Sequence, residues 1–348
     1  MRVVLICPAN LLYMPYIENY KGILEDNKVP YTIINWDRFQ IENDKNELSY
    51  KDSKIGHQRG FLDYYLFKKF VIKKLEVSKF DKVIVFGLQL SFFLKNYLIK
   101  NFKGNYVIDI RDHNKIVNYF KMNRLFKNSA FTVISSPGYQ QFLPEGVEYL
   151  INHNCRLQSF DEVTIKNHEI NQNKIRVACI GALRDFDVNI SFINYLKDKQ
   201  EFELFFHGEG QINNRINDYI QLKGIANVFL TGRYMKEQEE ELYENSDLIN
   251  VLRYSDSINN RTALPNRLYN SAKYCKPMIA LNGSYLAEEI DKYKLGLVLD
   301  SFEEMESKIN DYVDLYDVNE YENGRQEFFN MVFKDNNKFI KRLEGFIL

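Results

Sequence analysis

The chain has 348 residues, 45% of them hydrophobic and 27% charged, too many for one ordinary core and enough for two domains of about 150 residues each. With 24 Tyr, 26 Phe and only seven Pro, this composition excludes a disordered chain. The formal net charge of −1 hides an uneven spread, because residues 54–127 carry 16 Lys and Arg against 5 Asp and Glu. A basic first half predicts an anionic partner, lipid head groups or nucleic acid.

Taken in chain order, the first half alternates strands with helices. Apolar runs at 3–7, 31–35, 83–86, 106–110 and 132–135 read as strands, and 16–27 has a helical pattern. Residues 40–60 are polar and weakly patterned and read as a long loop. Residues 61–79 form an amphipathic helix carrying Lys68, Lys69, Lys73 and Lys74, with Leu66, Phe70, Val71 and Leu75 expected on its core side. Its lysines read as a contact with an anionic membrane surface, or as a solvated face. No helix-turn-helix, zinc-finger or RNP-type aromatic motif supports nucleic acid as the partner.

A polar stretch at 156–173 reads as a linker. A second series of strands follows at 175–180, 203–206, 228–231, 248–251, 278–281 and 297–299, with helices at 237–245 and 265–275. Strands alternating with helices at this spacing predict parallel sheets covered on both faces. The expected division is 1–165 and 172–324, with a last helix at 325–348 folding back on the first domain.

The four cysteines, Cys7, Cys155, Cys179 and Cys275, form no Cys-x-x-Cys pair, which argues against a zinc site or a disulfide-stapled secreted domain. The first apolar run is short for a signal peptide, and the longest one, 83–94, is too short to cross a bilayer. The expected location is the cytoplasm, peripheral on the inner face of the cytoplasmic membrane.

Several strand ends and helix starts carry residues suited to chemistry. In Leu264-Pro-Asn-Arg-Leu-Tyr-Asn, Pro265 fits a first helical turn, and the free N–H groups at 266–268 suit a diphosphate. Arg267 adds a fixed charge, Leu268 belongs to the buried face, and Asn270 reaches ribose hydroxyls one turn on. The same pattern also fits an ordinary amphipathic helix. After the strand 175–180, Gly181 permits a tight turn, and Arg184 is placed to neutralise a departing diphosphate or to lie bland on the surface. Glu209, in His-Gly-Glu-Gly, is a candidate to face the nucleotide. Asp185-Phe-Asp187 has the form of a metal-binding pair in a different fold, but two loop acids are usually solvated and no metal is assigned. In the first half, Asp112 and His113 are candidates for an acceptor-side base or a salt-bridged strand end. Ser135 and Ser136 precede Pro137, either touching substrate or capping a helix.

In order, Gly181-Ala-Leu-Arg184, His207-Gly-Glu-Gly210, Thr231-Gly-Arg-Tyr234, Leu264-Pro-Asn-Arg-Leu-Tyr269, Lys276-Pro277 and Gly296 resemble glycosyltransferase family 4 and its GT-B relatives from bacterial capsule and surface-polysaccharide clusters. The resemblance covers roughly 175–300 and is looser before it. It implies an α/β GT-B fold, two Rossmann-like domains with parallel sheets facing across a cleft. It further implies an acceptor-binding first domain and a second that binds a nucleotide sugar.

The activity so implied is hexosyl transfer from a UDP- or GDP-linked sugar to a lipid-linked or polysaccharide acceptor, retaining and metal-independent. The nucleotide sugar is substrate, and no cofactor is expected. Arg184 matches the position whose cation holds the donor diphosphate, and 266–268 match the helix start that receives it. His113 and Asp112 lie near the relatives' catalytic-region histidine. The chain departs from the family at Thr262 and Asn270, where relatives carry glutamates, and at Pro8-Ala-Asn10, where they carry a glycine pair. These losses keep open a non-catalytic GT-B subunit, and a nucleotide-sugar epimerase is a further alternative.

Overall fold

The computed structural model describes residues 1–42, 48–155, 157, 159–160, 163, 170–171 and 174–348. Most of the expected linker lies outside the described residues. The chain divides into two compact units, one of residues 1–156 with 334–348 and the other of residues 157–333.

Among its described residues the first unit holds seven parallel strands: β1 (Val3–Cys7), β2 (Tyr31–Asp37), β3 (Ser49–Lys51), β4 (Lys82–Phe86), β5 (Tyr106–Ile110), β6 (Phe131–Ile134) and β7 (Tyr149–Ile151). Their order across the sheet is β3-β2-β1-β4-β5-β6-β7. Every residue of β1 and β5 is buried, as a central parallel strand covered on both faces requires. This explains why those two runs are almost purely apolar. β3 lies inside the stretch expected to be a loop, and β7 was not expected. Each has three residues and, among the described residues, pairs with one neighbour.

The helix Phe61–Val77 buries Tyr64, Phe67, Val71 and Leu75. This corrects the expected core face, because Leu66 is 43% exposed. The face Tyr64–Phe67–Val71–Leu75 also has helical spacing, and it wins because Tyr64 and Phe67 close against Trp36 at ring distances of 5.2 and 4.7 Å.

Among its described residues the second unit holds six parallel strands, β8 (Ile175–Ile180), β9 (Phe202–His207), β10 (Val228–Gly232), β11 (Leu248–Asn250), β12 (Met278–Leu281) and β13 (Gly296–Leu299). The order β10-β9-β8-β11-β12-β13 means that the chain leaves β8 to one side and returns to β11 on the other. The carboxyl ends of β8 and β11 therefore flank the topological switch point, where open α/β sheets bind ligands. The core beneath is formed by Val177, Leu204, Phe206, Leu248 and Ile279 with helix residues such as Val188, Phe192 and Ile309.

The last helix runs Val318–Ile347. Its residues from Lys334 onward count with the first unit, and Phe339, Leu343, Phe346 and Ile347 join that unit's core with Val3, Leu5 and Tyr20. No helix among the described residues is long and apolar enough to cross a membrane.

Candidate active site

In the second unit the turns after β8 and β9 lie backbone to backbone. Gly181 donates its N–H to His207 O at 2.9 Å, and Leu183 donates to Glu209 O at 3.2 Å, so the ladder continues past the strand ends. A Cβ at Gly208 would stand 2.0 Å from Gly181 O, and one at Gly210 would stand 1.7 Å from Leu183 O. Only glycine permits that approach. His207 is buried, bonded through Nδ1 to Thr231 Oγ1 at 2.8 Å, and burial pushes its pKa below the ordinary range.

The helix Asn266–Lys273 starts beside these turns, with Pro265 as its N-cap rather than its first helical residue. Arg267 Nε donates to Ile180 O at 2.7 Å, and Nη1 donates to Asn250 O at 2.8 Å. One guanidinium thus ties together the two strand ends that flank the switch point. The added-Cβ position of Gly181 lies 3.9 Å from Arg267 Nη2, so the rest of the fork points along that turn. The Leu268 N–H, expected to be free, donates to Pro265 O at 3.0 Å, so a fixed planar cation beside the first N–H groups of the helix is what suits a diphosphate here.

The remaining expected residues take different stations. Asn266 is exposed, and Leu268 is buried in the core. Asn270, one turn along the helix, is half-buried near the buried Tyr243, whose ring stacks on Tyr274. Thr262 is buried, its hydroxyl donating to Ile258 O at 2.7 Å within its own helical turn. Glu209 is exposed beside the glycine turn. Arg184 is exposed and its guanidinium makes no hydrogen bond or ion pair to a described residue. The next residue, Asp185, holds a left-handed backbone at φ 57°, a costly conformation for a residue with a side chain. The structure therefore brings Gly181, Arg267 and the Glu209 backbone together directly, with Arg184 in the adjoining loop.

Sequence reasoning did not single out Asn250. It is 2% exposed, its Oδ1 accepts from Leu252 N, and its Nδ2 has no partner among the described residues. A polar residue closing the apolar run Leu-Ile-Asn was the available signal.

In the first unit, the carboxyl end of β5 is fixed by charge. Asp109 is fully buried and accepts from Arg111 Nε and Nη2 at 2.6 and 2.7 Å and from the Tyr20 hydroxyl at 2.5 Å. Arg111 also donates to Asn152 O and Asn154 Oδ1 and lies over the Tyr16 ring. This pair holds the loop that carries the exposed Asp112 and the half-buried His113. His113 packs edge-on against Phe142, and burial lowers its pKa. Ser135 and Ser136 are buried at the end of β6, and Ser136 Oγ accepts from Gly138 N as a helix cap. In place of a glycine pair after β1, buried Asn10 closes the turn by accepting from Arg38 N and Phe39 N and donating to Asp37.

The helix Phe61–Val77 keeps Lys69 and Lys73 exposed and Lys68 and Lys74 half-exposed. Lys68 and Lys69 lie over the Tyr65 ring, and Phe61 and Leu62 are 66% and 67% exposed. Cationic and large apolar side chains thus share the outward surface.

The comparisons with known proteins agree with this architecture. Residues 160–326 match the family model for glycosyl transferases group 1. No curated protein matches the sequence. The lipopolysaccharide outer core galactosyltransferase WaaB superposes with a TM-score of 0.67 at 13% identity, covering 98% of this chain and 99% of that one. HepE from Anabaena, solved with UDP and glucose, gives 0.63 at 12% identity over 99% of each chain. WaaG, a glycosyltransferase involved in lipopolysaccharide biosynthesis, gives 0.64 at 13%, covering 98% of this chain and 99% of that one. The fold is therefore that of GT-B glycosyltransferases, and over residues 160–326 the chain carries the pattern of the glycosyl transferases group 1.

Proposed function

We propose that this protein is a glycosyltransferase that takes a hexosyl group from a nucleoside diphosphate sugar and places it on a hydroxyl of a lipid-linked or polysaccharide acceptor. The observation that carries this reading is Arg267, clamped to Ile180 O and Asn250 O at the switch point of the second unit. The group 1 match over that unit supports it, as does the superposition on HepE with UDP and glucose bound. UDP is the first donor base to test and GDP the second. A family 4 role in capsule or surface-polysaccharide assembly is the finer form of the proposal.

In this mechanism the bond from the sugar's anomeric carbon to the β-phosphate oxygen breaks, and the acceptor oxygen forms the new bond on the same face. The leaving phosphate takes the acceptor's proton, so configuration is retained without a protein nucleophile or a metal. Arg267 and the helix start at 266–267 hold the diphosphate, and Asn270 and Glu209 contact the nucleoside side. Arg184, free of other partners among the described residues, swings onto the departing phosphate where negative charge grows. Asp112 and His113 border the acceptor, with Ser135 and Ser136 shaping the turn behind it. Lysines 68, 69, 73 and 74 with Phe61 and Leu62 bring the protein to an anionic cytoplasmic membrane surface.

One observation favours a second reading, a non-catalytic subunit that binds nucleotide. Thr262 is buried with its hydroxyl bonded to Ile258 O, and Asn270 carries an amide, so neither supplies the carboxylate that relatives carry. Incubation of UDP- and GDP-sugars with a membrane-lipid acceptor separates the two. Release of nucleoside diphosphate that requires acceptor supports transfer, and tight nucleotide binding without release supports the subunit.

A further inference from the structure

The structure assigns a second ligand site in the 157–333 unit, at the opposite end of its sheet from Arg267. An open hollow of about 400 Å³ is lined by β13, the helix Met305–Asp314 and the first turns of Val318–Ile347. A second of about 470 Å³ adjoins it and shares Lys294, Asp317 and Glu320. Gly296, which lines the first, is the opening residue of β13 and pairs with Met278, the opening residue of β12. The cavity therefore lies at the amino ends of the strands, whereas Ile180 and Asn250 lie at the carboxyl ends.

One wall is a row of tyrosines, with ring centroids 5.9 Å apart from Tyr312 to Tyr316 and again from Tyr316 to Tyr321. Tyr321 is 3% exposed, lines the cavity, and its hydroxyl has no hydrogen-bond partner among the described residues. Burying a hydroxyl unpaired is costly, and phenylalanine would avoid that cost. A ligand hydroxyl in the cavity supplies the missing partner. The charged lining is two lysines, Lys294 and Lys308, against Asp311, Asp317 and Glu320. That balance disfavours phosphates and nucleotides, whose sites carry excess cation. Aromatic faces beside carboxylate acceptors suit instead the apolar faces and hydroxyl edges of sugar rings.

We propose that this cavity binds a neutral pyranose oligosaccharide, separately from the donor site. The proposal does not depend on which donor the protein uses.

Titration calorimetry of the full chain with maltotriose, cellotriose and chitotriose tests it. The expected result is saturable binding of at least one of them, weakened at least tenfold by the double variant Tyr312→Ala/Tyr321→Phe and unchanged by Arg267→Ala. Glu320→Gln, at an exposed position, carries the same test if the double variant does not fold. Absence of binding by all three would overturn the proposal, as would binding indifferent to the cavity variants. Loss of binding in Arg267→Ala would place the sugar in the donor site and also overturn it. Nucleotide affinity, measured in the same variants, reports on the donor site independently.

Discussion

Arg267 donates its Nε hydrogen to the carbonyl of Ile180 across 2.7 Å, although 87 positions of sequence separate them. The same guanidinium reaches Asn250 O, so it closes the switch point of the sheet and presents its charge there. Arg184, by contrast, makes no such bond among the described residues. The two arginines should therefore separate in their effects. Arg267→Ala leaves two strand-end carbonyls without a donor and is expected to cost about 1–3 kcal/mol in urea unfolding, with loss of nucleotide binding. Arg184→Ala is expected to leave stability within about 0.5 kcal/mol and to lower turnover by about 100-fold. Equal destabilisation by both would contradict the assignment.

The glycine turn gives a second prediction. Gly210→Ala drives a methyl into Leu183 O and must separate the turns after β8 and β9. A destabilisation above about 3 kcal/mol is expected, together with loss of nucleotide binding. Gly224 ends the helix Asn213–Lys223 at φ 62° with nothing within 4 Å of an added Cβ. Gly224→Ala should cost only about 1–2 kcal/mol of backbone strain and leave binding intact. Chemical denaturation of the two variants side by side decides this.

Stability should also respond to mild acid. Burial holds His207 and His113 below the ordinary histidine range, so the unfolded chain takes up these protons first as pH falls. Their contribution is intact above about pH 6.5 and is lost as pH drops through that value toward the lowered folded one. Each group contributes a slope of at most about 1.4 kcal/mol per pH unit. His207→Asn should flatten the decline between about pH 7.5 and about pH 5.5 relative to the wild type. An unchanged slope would mean that His207 titrates normally in the folded state.

The outward surface of Phe61–Val77 predicts salt-sensitive membrane binding. Replacing Lys69 and Lys73 by Ala should weaken sedimentation with anionic vesicles by about 2 kcal/mol, roughly 30-fold, at low salt. Equal binding of wild type and variant, or equal binding to neutral vesicles, would remove the electrostatic contact.

What the sequence made legible follows from burial. β1, β5, β8 and β12 have the expected bounds because a strand covered on both faces is largely apolar, with Asp109 in β5 and Arg176 in β8 as exceptions, and the run ends where the cover ends. β3 and β7 escaped because three-residue edge strands are defined by their neighbour's backbone, not by their own side chains. The helix Phe61–Val77 misled because Leu66 and Phe70 have helical spacing as good as that of Tyr64 and Phe67, and only Trp36 decides between them. At the site, the glycine turns and Arg267 could be read as chemistry-bearing from local pattern. The roles of Asp109, Arg111 and Asn250 could not, because their partners Tyr20, Asn152 and Arg267 are remote in sequence.

The proposed nucleoside diphosphate site is built on Arg267. Its most direct test is titration calorimetry of the wild-type protein and Arg267→Ala with UDP and GDP, each with magnesium and with a chelator. One of the two nucleotides is expected to bind the wild type equally under both conditions and to lose at least tenfold in affinity with the variant. Binding of neither nucleotide, binding that requires magnesium, or affinity indifferent to Arg267 would contradict it.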